Sequence, residues 1–387
     1  MVNKKEDGIG VMKLTKEVKD AFNEWAEPEG DTTFLETGNI GFDMAMSNGL
    51  GLPVGSSILL WAGHGCGKST LFGDVARRLI ESHKAANKPF KVVYVAVEGS
   101  RELMKKLGLK EYMESRDFIY IERRFTWRQV EQLYEMIIRG EGAYKDVKLV
   151  VIDSVNNVLS DQNLKNSVAD GDYGTKARER ANFYGKYLPL CKQLGITTFM
   201  VSQIRQKQDT MAFGEKKKAA VGDPDLHNAD IVVRCRANTD SKNLDVEKIE
   251  RETAYGKSKE VVKYIMELDP TNNSSKNRYD LTHRCEILIE KGVGCHNYYS
   301  LRKILVYQGF LKVAGSSYTF DKSLSETFGL PEKGVKREEA NKIIKDKAGD
   351  LIAFLKKINC YSITKDDAVR IIDPSEVSDD DNEEDEE

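Results

Sequence analysis

The sequence predicts an α/β protein built on a mostly parallel, twisted β-sheet, and two observations lead to that prediction. Between about residues 34 and 320, short apolar runs typical of buried strands alternate with helical stretches. One of these runs leads into a glycine-rich segment that is followed at once by a helical stretch. Apolar strands that alternate with helices indicate a sheet covered by helices on both faces.

The strands and helices of this core are predicted in chain order from residue patterns. The buried-strand runs are Ser57–Trp61, Val92–Val97, Phe118–Ile121, Leu149–Ile152, Thr197–Val201, Ile231–Val233 and Cys285–Ile289. The main helical stretches are Lys68–Ser82, Trp127–Arg139 and Ala177–Leu194. Thr126 followed by Gln129 is typical of a capping box at the start of the second helix. The polar stretch 237–283 is predicted to form a hairpin or an excursion from the sheet.

The two ends of the chain differ from this core. Apolar residues from Val11 to Trp25 have helical spacing, and a linker that contains proline and glycine follows them. Residues 336–358 form another amphipathic stretch, and Asp373–Glu387 contains ten acidic and no basic residues. We therefore predict an N-terminal helix with its linker over 1–33, the core over 34–320, a small C-terminal α/β lobe over 321–372 and a disordered acidic tail over 373–387.

The composition argues against membrane-spanning and secreted proteins. Charged side chains make up 31% of the 387 residues, and no apolar run approaches the roughly 20 residues that a membrane-spanning helix needs. No charged-then-apolar leader opens the chain, so we expect a protein of the cytoplasm. The six cysteines form no C-x-x-C pair and are expected to be buried thiols rather than disulfides or metal ligands.

The glycine-rich segment is the strongest chemical signal in the sequence. Ala62–Ser69 follows the phosphate-loop pattern G-x-x-x-x-G-K-[ST], with Ala62 in place of the first glycine. Such a loop turns backbone N–H groups inward around phosphates, and the N-terminus of the next helix adds positive potential. We expect Lys68 to hold the β- and γ-phosphates of ATP and Ser69 to ligate Mg²⁺. The predicted ATP-binding residues here are Gly63, His64, Gly65, Cys66, Gly67, Lys68, Ser69 and Thr70.

Two further strands end in carboxylates that suit nucleotide hydrolysis. Asp153 closes the apolar run that begins at Lys148, and with Ser69 it is the predicted metal ligand. Glu98 closes the run that begins at Val93, and we expect it to act as the base that activates the attacking water.

Taken in their order, these segments resemble the bacterial RecA family and its phage UvsX-type relatives over roughly residues 34–320. The most specific resemblance is Ser202-Gln203-Ile204-Arg205-Gln206-Lys207, which is similar to the strand end that leads into the second DNA loop of that family. Further similar segments are Phe34–Gly38, Gly51–Gly55, Lys106–Gly108, Gly294–Tyr299 and Lys312–Gly315. The acidic tail also fits that family.

The resemblance implies roles for individual residues. Gln203 would contact the γ-phosphate and pass the nucleotide state to DNA, while Leu103 falls where the family has an aromatic residue that packs on adenine. Lys276 and Arg278 would reach the ATP of a neighbouring subunit. Residues 160–174 and about 207–222 resemble the two DNA loops. The implied DNA-binding residues are Tyr173, Arg178, Arg205, Lys207, Met211, Phe213, Lys216, Lys217 and Lys218.

The implied function is that of an ATP- and Mg²⁺-dependent strand-exchange recombinase, a DNA-dependent ATPase of homologous recombination and repair. It would form a helical homo-oligomeric filament on single-stranded DNA and pair it with homologous double-stranded DNA. A loading mediator and a single-strand-binding protein are the further partners expected. The location would be the bacterial cytoplasm, or the host cytoplasm if the protein is phage-encoded.

Three other classes of protein share parts of this pattern. A hexameric RecA-like DNA helicase uses the same core but usually carries an additional N-terminal domain, whereas fewer than about 35 residues precede the core here. A RecA-like ATPase that does not act on DNA would lack the basic loop after Gln203. A regulator that binds nucleotide without turnover has no need for both Lys68 and Glu98.

Overall fold

The computed structural model describes residues 33–47, 49–97, 99–161, 174–206, 217–219, 223–240, 242–253, 256–270 and 284–357. The predicted N-terminal helix and the acidic tail lie outside these ranges. None of the helices in the described part of the chain has the length and apolar character that crossing a membrane would require.

The described strands form three sheets. Strands β1 (Phe34–Leu35) and β2 (Leu52–Pro53) make a small antiparallel pair. The large sheet has eleven strands. These are β3 (Ser57–Ala62), β4 (Lys91–Ala96), β5 (Phe118–Glu122), β6 (Val147–Asp153), β7 (Thr197–Gln206), β8 (Lys217–Ala219), β9 (Ile231–Asn238), β10 (Glu247–Thr253), β11 (Gly256–Asp269), β12 (Cys285–Glu290) and β13 (Gly294–His296). The third sheet contains β14 (Leu311–Ala314), β15 (Ser317–Phe320) and β16 (Val335–Lys336).

The described helices connect and cover these strands. They are α1 (Ile40–Ser47), α2 (Lys68–Ala85), α3 (Arg101–Met104), α4 (Lys110–Ser115), α5 (Trp127–Ile138), α6 (Thr175–Gln193), α7 (Asp223–Asn228), α8 (Asn297–Tyr307), α9 (Lys322–Phe328), α10 (Arg337–Asp346) and α11 (Ala348–Lys357). The capping box at α5 is confirmed, because Gln129 N–H donates to Thr126 Oγ1 and Thr126 N–H donates to Gln129 Oε1.

The centre of the large sheet is parallel, as predicted. Its order is β13-β12-β11-β9-β3-β7-β6-β4-β5, and the six strands from β9 to β5 pair in parallel. The remaining strands are antiparallel, and β11 bonds to β10, β9 and β12. The polar stretch after β9 therefore contains a hairpin, β10–β11, as the sequence predicts.

The two faces of the sheet carry separate apolar layers. On β3, which is buried throughout, Ile58 and Leu60 pack in the cluster that includes helix α2, and Leu59 and Trp61 pack in the cluster that includes α5 and α6. This division follows from the alternation of side chains along a strand. A parallel sheet with helices on both faces is therefore the α/β architecture that the sequence predicts.

A third apolar cluster lies in the C-terminal part of the described chain. It joins α8, the β14–β15 hairpin and helices α9 to α11 through buried side chains that include Leu301, Leu311, Phe320 and Ile344. A buried ion cluster ties this part to the segment after β9. Arg302 Nη2 lies 2.6 Å from Asp245 Oδ2, and the guanidinium of Arg337 contacts the same oxygen.

Candidate nucleotide-binding site

The predicted site residues meet at the carboxyl edge of the parallel strands. The register pairs Ala62 at the end of β3 with Gln203 on β7, and it pairs Asp153 at the end of β6 with Val201 on β7. On the far side of β6, Ala96 of β4 pairs with Asp153. Because neighbouring strands lie about 4.8 Å apart, the phosphate loop, Gln203 and Asp153 share one edge of the sheet.

The phosphate loop has the backbone that a phosphate cradle needs. Gly65 and Gly67 adopt φ angles of 74° and 86°, in the left-handed region that favours glycine. A Cβ atom at Gly67 would also lie 2.3 Å from the hydroxyl of Tyr264, so a larger residue does not fit there. Ala62 is the last residue of β3, and its φ angle is not positive. Its backbone therefore does not require glycine, which explains why alanine replaces the first glycine of the phosphate-loop pattern.

Lys68 and the N-terminus of α2 give the phosphate loop a positive potential. The ammonium of Lys68 donates to the carbonyl of Gly63 at 2.8 Å, which places it over the loop. Lys68 is the first residue of α2, so the helix N-terminus points at the same place. Backbone N–H groups and the helix dipole at such an end favour bound phosphate.

Ser69 and Asp153 fit a Mg²⁺ ion by their chemistry and by their position. The Ser69 hydroxyl donates to Asp153 Oδ2 at 2.7 Å, so the hydroxyl and the carboxylate oxygens meet beside Lys68. Hydroxyl and carboxylate oxygens are hard ligands, which Mg²⁺ prefers together with water and substrate phosphates. The side chain of Asp153 is buried, so its charge is poorly screened by solvent.

Tyr94 is a further contact of Asp153 that the sequence patterns did not indicate. Its hydroxyl donates to Asp153 Oδ2 at 2.6 Å. Burial, together with the neighbouring carboxylate, raises the pKa of Tyr94 well above its usual range. The phenol is therefore protonated at neutral pH and acts as a donor. In the sequence, Tyr94 is simply one apolar-pattern aromatic in a buried strand, so only the sheet register reveals its partner.

Gln203 is held by another residue that the patterns did not indicate. Its backbone N–H donates to Asn156 Oδ1 at 2.9 Å. The ammonium of Lys176, in the first turn of α6, donates to the backbone carbonyl of Asn156. Asn156 therefore connects the turn after β6, the end of β7 and the start of α6. The sequence does show two adjacent asparagines, Asn156 and Asn157, which begin three positions after Asp153.

Replacing Asn156 with alanine should slow ATP hydrolysis several-fold and leave the KM for ATP within about twofold. The change leaves the Gln203 N–H without its amide acceptor, and such a loss typically costs about 1–3 kcal/mol. Steady-state hydrolysis by purified protein measures both constants. Asn157→Ala is the matched control, because Asn157 is the neighbouring asparagine and its side chain donates to Ser154 Oγ. Equal rates for the two variants would contradict a role for Asn156 in placing Gln203.

The other predicted residues lie at different places in the fold. Arg178 is exposed in the first turn of α6. The backbones of Arg205 and Lys218 pair directly in the β7–β8 hairpin, and Lys217 pairs with the next residue along β7. Leu103, in the short helix α3, packs partly buried against the cluster that includes α2. Outside the described residues lie Glu98, Tyr173, Lys207, Met211, Phe213, Lys216, Lys276 and Arg278.

Comparison with known proteins agrees with this geometry. A protein-family profile described as AAA domain matches residues 49–209. The protein RecA of Nocardia farcinica (strain IFM 10152) is 24% identical over 326 residues, which are 81% of this chain and 83% of that protein. The protein RecA of Mycolicibacterium gilvum (strain PYR-GCK) is 26% identical over the same shares of both chains. The protein RecA of Rhodococcus jostii (strain RHA1) is 24% identical, again over 81% of this chain.

The fold, the site and these similarities define a class of protein. The chain is a RecA-like P-loop ATPase, an enzyme that binds a nucleotide with a divalent metal ion and hydrolyses it.

Proposed function

We propose that this chain is an ATP-dependent DNA strand-exchange recombinase that forms a helical filament on single-stranded DNA. The connection between Gln203 and the β7–β8 hairpin carries the proposal. Gln203 lies beside the end of β3, where the phosphate loop begins, and the same strand continues to Arg205, which pairs with Lys218. A shift of Gln203 on γ-phosphate binding would move this basic hairpin directly.

The charge of this hairpin supports nucleic acid as its partner. Arg205, Lys217 and Lys218 are three cations on two paired strands. Cations of this kind neutralise DNA phosphates and release counter-ions, which makes such binding depend strongly on salt. The proposed contacts of Tyr173, Met211 and Phe213 with bases would add stacking that tolerates any sequence. Base pairing with homologous double-stranded DNA would then read the sequence, in place of protein side chains.

The hydrolytic step follows from the nucleotide site. Lys68 and the phosphate-loop N–H groups would bind the phosphates, and Ser69 and Asp153 would hold the metal ion, whose charge would offset that of the phosphates. Glu98 is proposed to take the proton of the attacking water. Lys276 and Arg278 of a neighbouring protomer are proposed to stabilise the charge on the transferred phosphate. ATP at the protomer interface would thus favour assembly, and hydrolysis would loosen the filament.

The remaining assignments complete the proposal. The N-terminal helix would dock on the neighbouring protomer, and a loading mediator and a single-strand-binding protein would control access to DNA. The protein would act in the cytoplasm of a bacterial cell or of a phage-infected host.

Replacing Glu98 with glutamine should leave ATP binding within about twofold and lower hydrolysis by about 10²-fold or more. The amide keeps the size of the side chain but cannot accept the water proton, and general-base catalysis typically contributes this factor. Binding of a fluorescent ATP analogue and steady-state hydrolysis separate the two effects. Glu102→Gln is the control, since Glu102 of helix α3 pairs with Lys105, the residue that follows this helix. Near-normal turnover by Glu98→Gln would remove Glu98 as the base.

Electron microscopy of the protein with single-stranded DNA and a non-hydrolysable ATP analogue tests the proposed function. Helical filaments that require both ligands are the expected result. Closed rings would contradict the recombinase proposal and favour the hexameric helicase, which uses the same core. A protein that stays monomeric with both ligands would contradict both, and a strand-exchange assay on the filaments would complete the test.

A further inference from the structure

One oxygen of the Asp153 carboxylate receives two short hydrogen bonds. Tyr94 Oη–H donates to Oδ2 at 2.6 Å, and Ser69 Oγ–H donates to the same oxygen at 2.7 Å. In the described part of the chain these are the hydrogen bonds of the Asp153 side chain, so Oδ1 keeps its lone pairs for another partner. The carboxylate is thus fixed through one oxygen and available through the other.

Tyr94 itself is held so that its hydroxyl has little freedom to move. The side chain is fully buried in β4, and its ring packs against Tyr120 at 5.6 Å and Phe118 at 5.9 Å between centroids. Strand β4 pairs in parallel with β6, and its residue Ala96 lies opposite Asp153. The sheet register and the aromatic packing therefore determine where the phenol points before any ligand binds.

We propose that Tyr94 is a positioning residue for the metal of the nucleotide site: its hydroxyl fixes the rotation of the Asp153 carboxylate and thereby sets the affinity of the site for Mg²⁺. Ser69 has to serve the metal as well as Asp153. The single hydroxyl hydrogen of Tyr94 is donated to Asp153, and Ser69 lies beside the same hydroxyl. The phenol therefore keeps the carboxylate in place when Ser69 turns a lone pair to the ion. Preorganisation of this kind raises affinity because a rigid site loses less conformational freedom on binding.

This inference rests on the nucleotide site of the proposed function and is independent of DNA binding and strand exchange. Tyr94 is proposed to affect metal binding only. Binding of the phosphates should not depend on it, because no described hydrogen bond joins Tyr94 to Lys68 or to the backbone of the phosphate loop. The two contributions can therefore be measured separately, as nucleotide binding without Mg²⁺ and as the extra binding that Mg²⁺ brings.

The chain provides a matched control beside Tyr94. Tyr120 lies on the neighbouring strand β5 and stacks on the Tyr94 ring, and its buried hydroxyl has no hydrogen-bond partner within the described ranges. Tyr94→Phe and Tyr120→Phe each remove one buried hydroxyl from the same aromatic stack. Only the first removes a bond to the metal-site carboxylate.

The experiment titrates Mg²⁺ into the full-length protein with a fluorescent ADP analogue, so that no turnover is involved. Tyr94→Phe should bind the analogue as wild type does without Mg²⁺, but should need about 3- to 10-fold more Mg²⁺ for half-maximal tightening, a part of what a hydrogen bond to a charged group contributes. Tyr120→Phe should match wild type, and thermal unfolding of each variant reports its folding.

Three outcomes would overturn the proposal. An unchanged Mg²⁺ midpoint in Tyr94→Phe would remove Tyr94 as a positioning residue. Equal shifts in both variants, or weaker binding without Mg²⁺, would assign Tyr94 a purely structural role. Absence of any Mg²⁺ effect in the wild-type protein would contradict the nucleotide site itself, which distinguishes that failure from a failure of the Tyr94 inference alone.

Discussion

Replacing Lys68 with alanine should abolish detectable binding of ATP at concentrations that saturate the wild-type protein. The Lys68 ammonium lies over the phosphate loop, 2.8 Å from the carbonyl oxygen of Gly63. Lys68 is also the first residue of α2, and the N-terminus of this helix faces the same space. A bond between an ionised donor and a charged acceptor contributes about 1.5–3 kcal/mol. Loss of the bonds to two phosphates would thus weaken binding by about 10²-fold or more.

Equilibrium binding of a fluorescent ATP analogue measures this loss. Lys84→Ala is a matched control, because Lys84 is the same residue type in the last turn of the same helix. Its ammonium makes a loose 3.9 Å pair with Glu111 and lies over the ring of Tyr112. The control should bind ATP as wild type does, and both variants should unfold at similar temperatures. Binding by Lys68→Ala within about threefold of wild type would show that the loop does not hold the phosphates in the predicted way.

Replacing Asp245 with alanine should destabilise the protein by about 3–5 kcal/mol, which is a large part of a typical folding free energy. Asp245 and Arg302 side chains are each only 6% exposed, and Arg337 contacts the same carboxylate oxygen. Arg302 is further fixed by a 2.6 Å bond to Asn341 and by the ring of Tyr299. The substitution would leave two cations close together, poorly hydrated and without their shared anion.

Urea unfolding followed by circular dichroism measures the change. Asp350→Ala is the control: Asp350 makes a 3.7 Å pair with Lys347 in which both side chains are about half exposed. Exposed pairs contribute about 0–1 kcal/mol, so this variant should be nearly as stable as wild type. A loss below about 1 kcal/mol for Asp245→Ala would mean that the two arginines find other partners or water.

The sequence predicted those parts of the fold that rest on local patterns. Every residue of β3 is buried, so its sequence is an apolar run, and that run, Ser57–Trp61, predicted the strand. The seven predicted strand runs all correspond to strands of the large sheet. The phosphate loop and Asp153 were predictable for the same reason. In each case a short run of residues fixes both the strand and the group that ends it.

The contacts that complete the site were not predictable, because they depend on which strands become neighbours. Tyr94 and Asp153 are 59 positions apart, and Asn156 and Gln203 are 47 positions apart. Nothing in the residues around Tyr94 distinguishes a phenol that bonds to a carboxylate from one that fills the core. The β4–β6 and β6–β7 registers decide the matter, and those registers arise only when the whole sheet assembles.

The extent of the β10–β11 hairpin was hidden for a different reason. The part of β11 from Gly256 to Lys263 pairs with β10, and its sequence is polar up to Glu260. The second half contains the buried residues Tyr264, Ile265, Met266 and Leu268 and lies between β9 and β12. One continuous strand therefore has two different environments, and no single periodicity describes it.

Strand β7 lies between β3 and β6, so an insertion in this strand should have a larger effect than an insertion in a surface turn. One residue inserted into β7 ahead of Gln203 would turn every later side chain of that strand to the opposite face. The amide of Gln203 would then leave the edge where Ala62 and Asp153 end their strands. An insertion in the connection 140–146, between α5 and β6, would lengthen a turn and leave every strand register unchanged. Sequences that diverge from this chain can therefore vary in length at such turns, while the spacing from Thr197 to Gln203 has to stay constant.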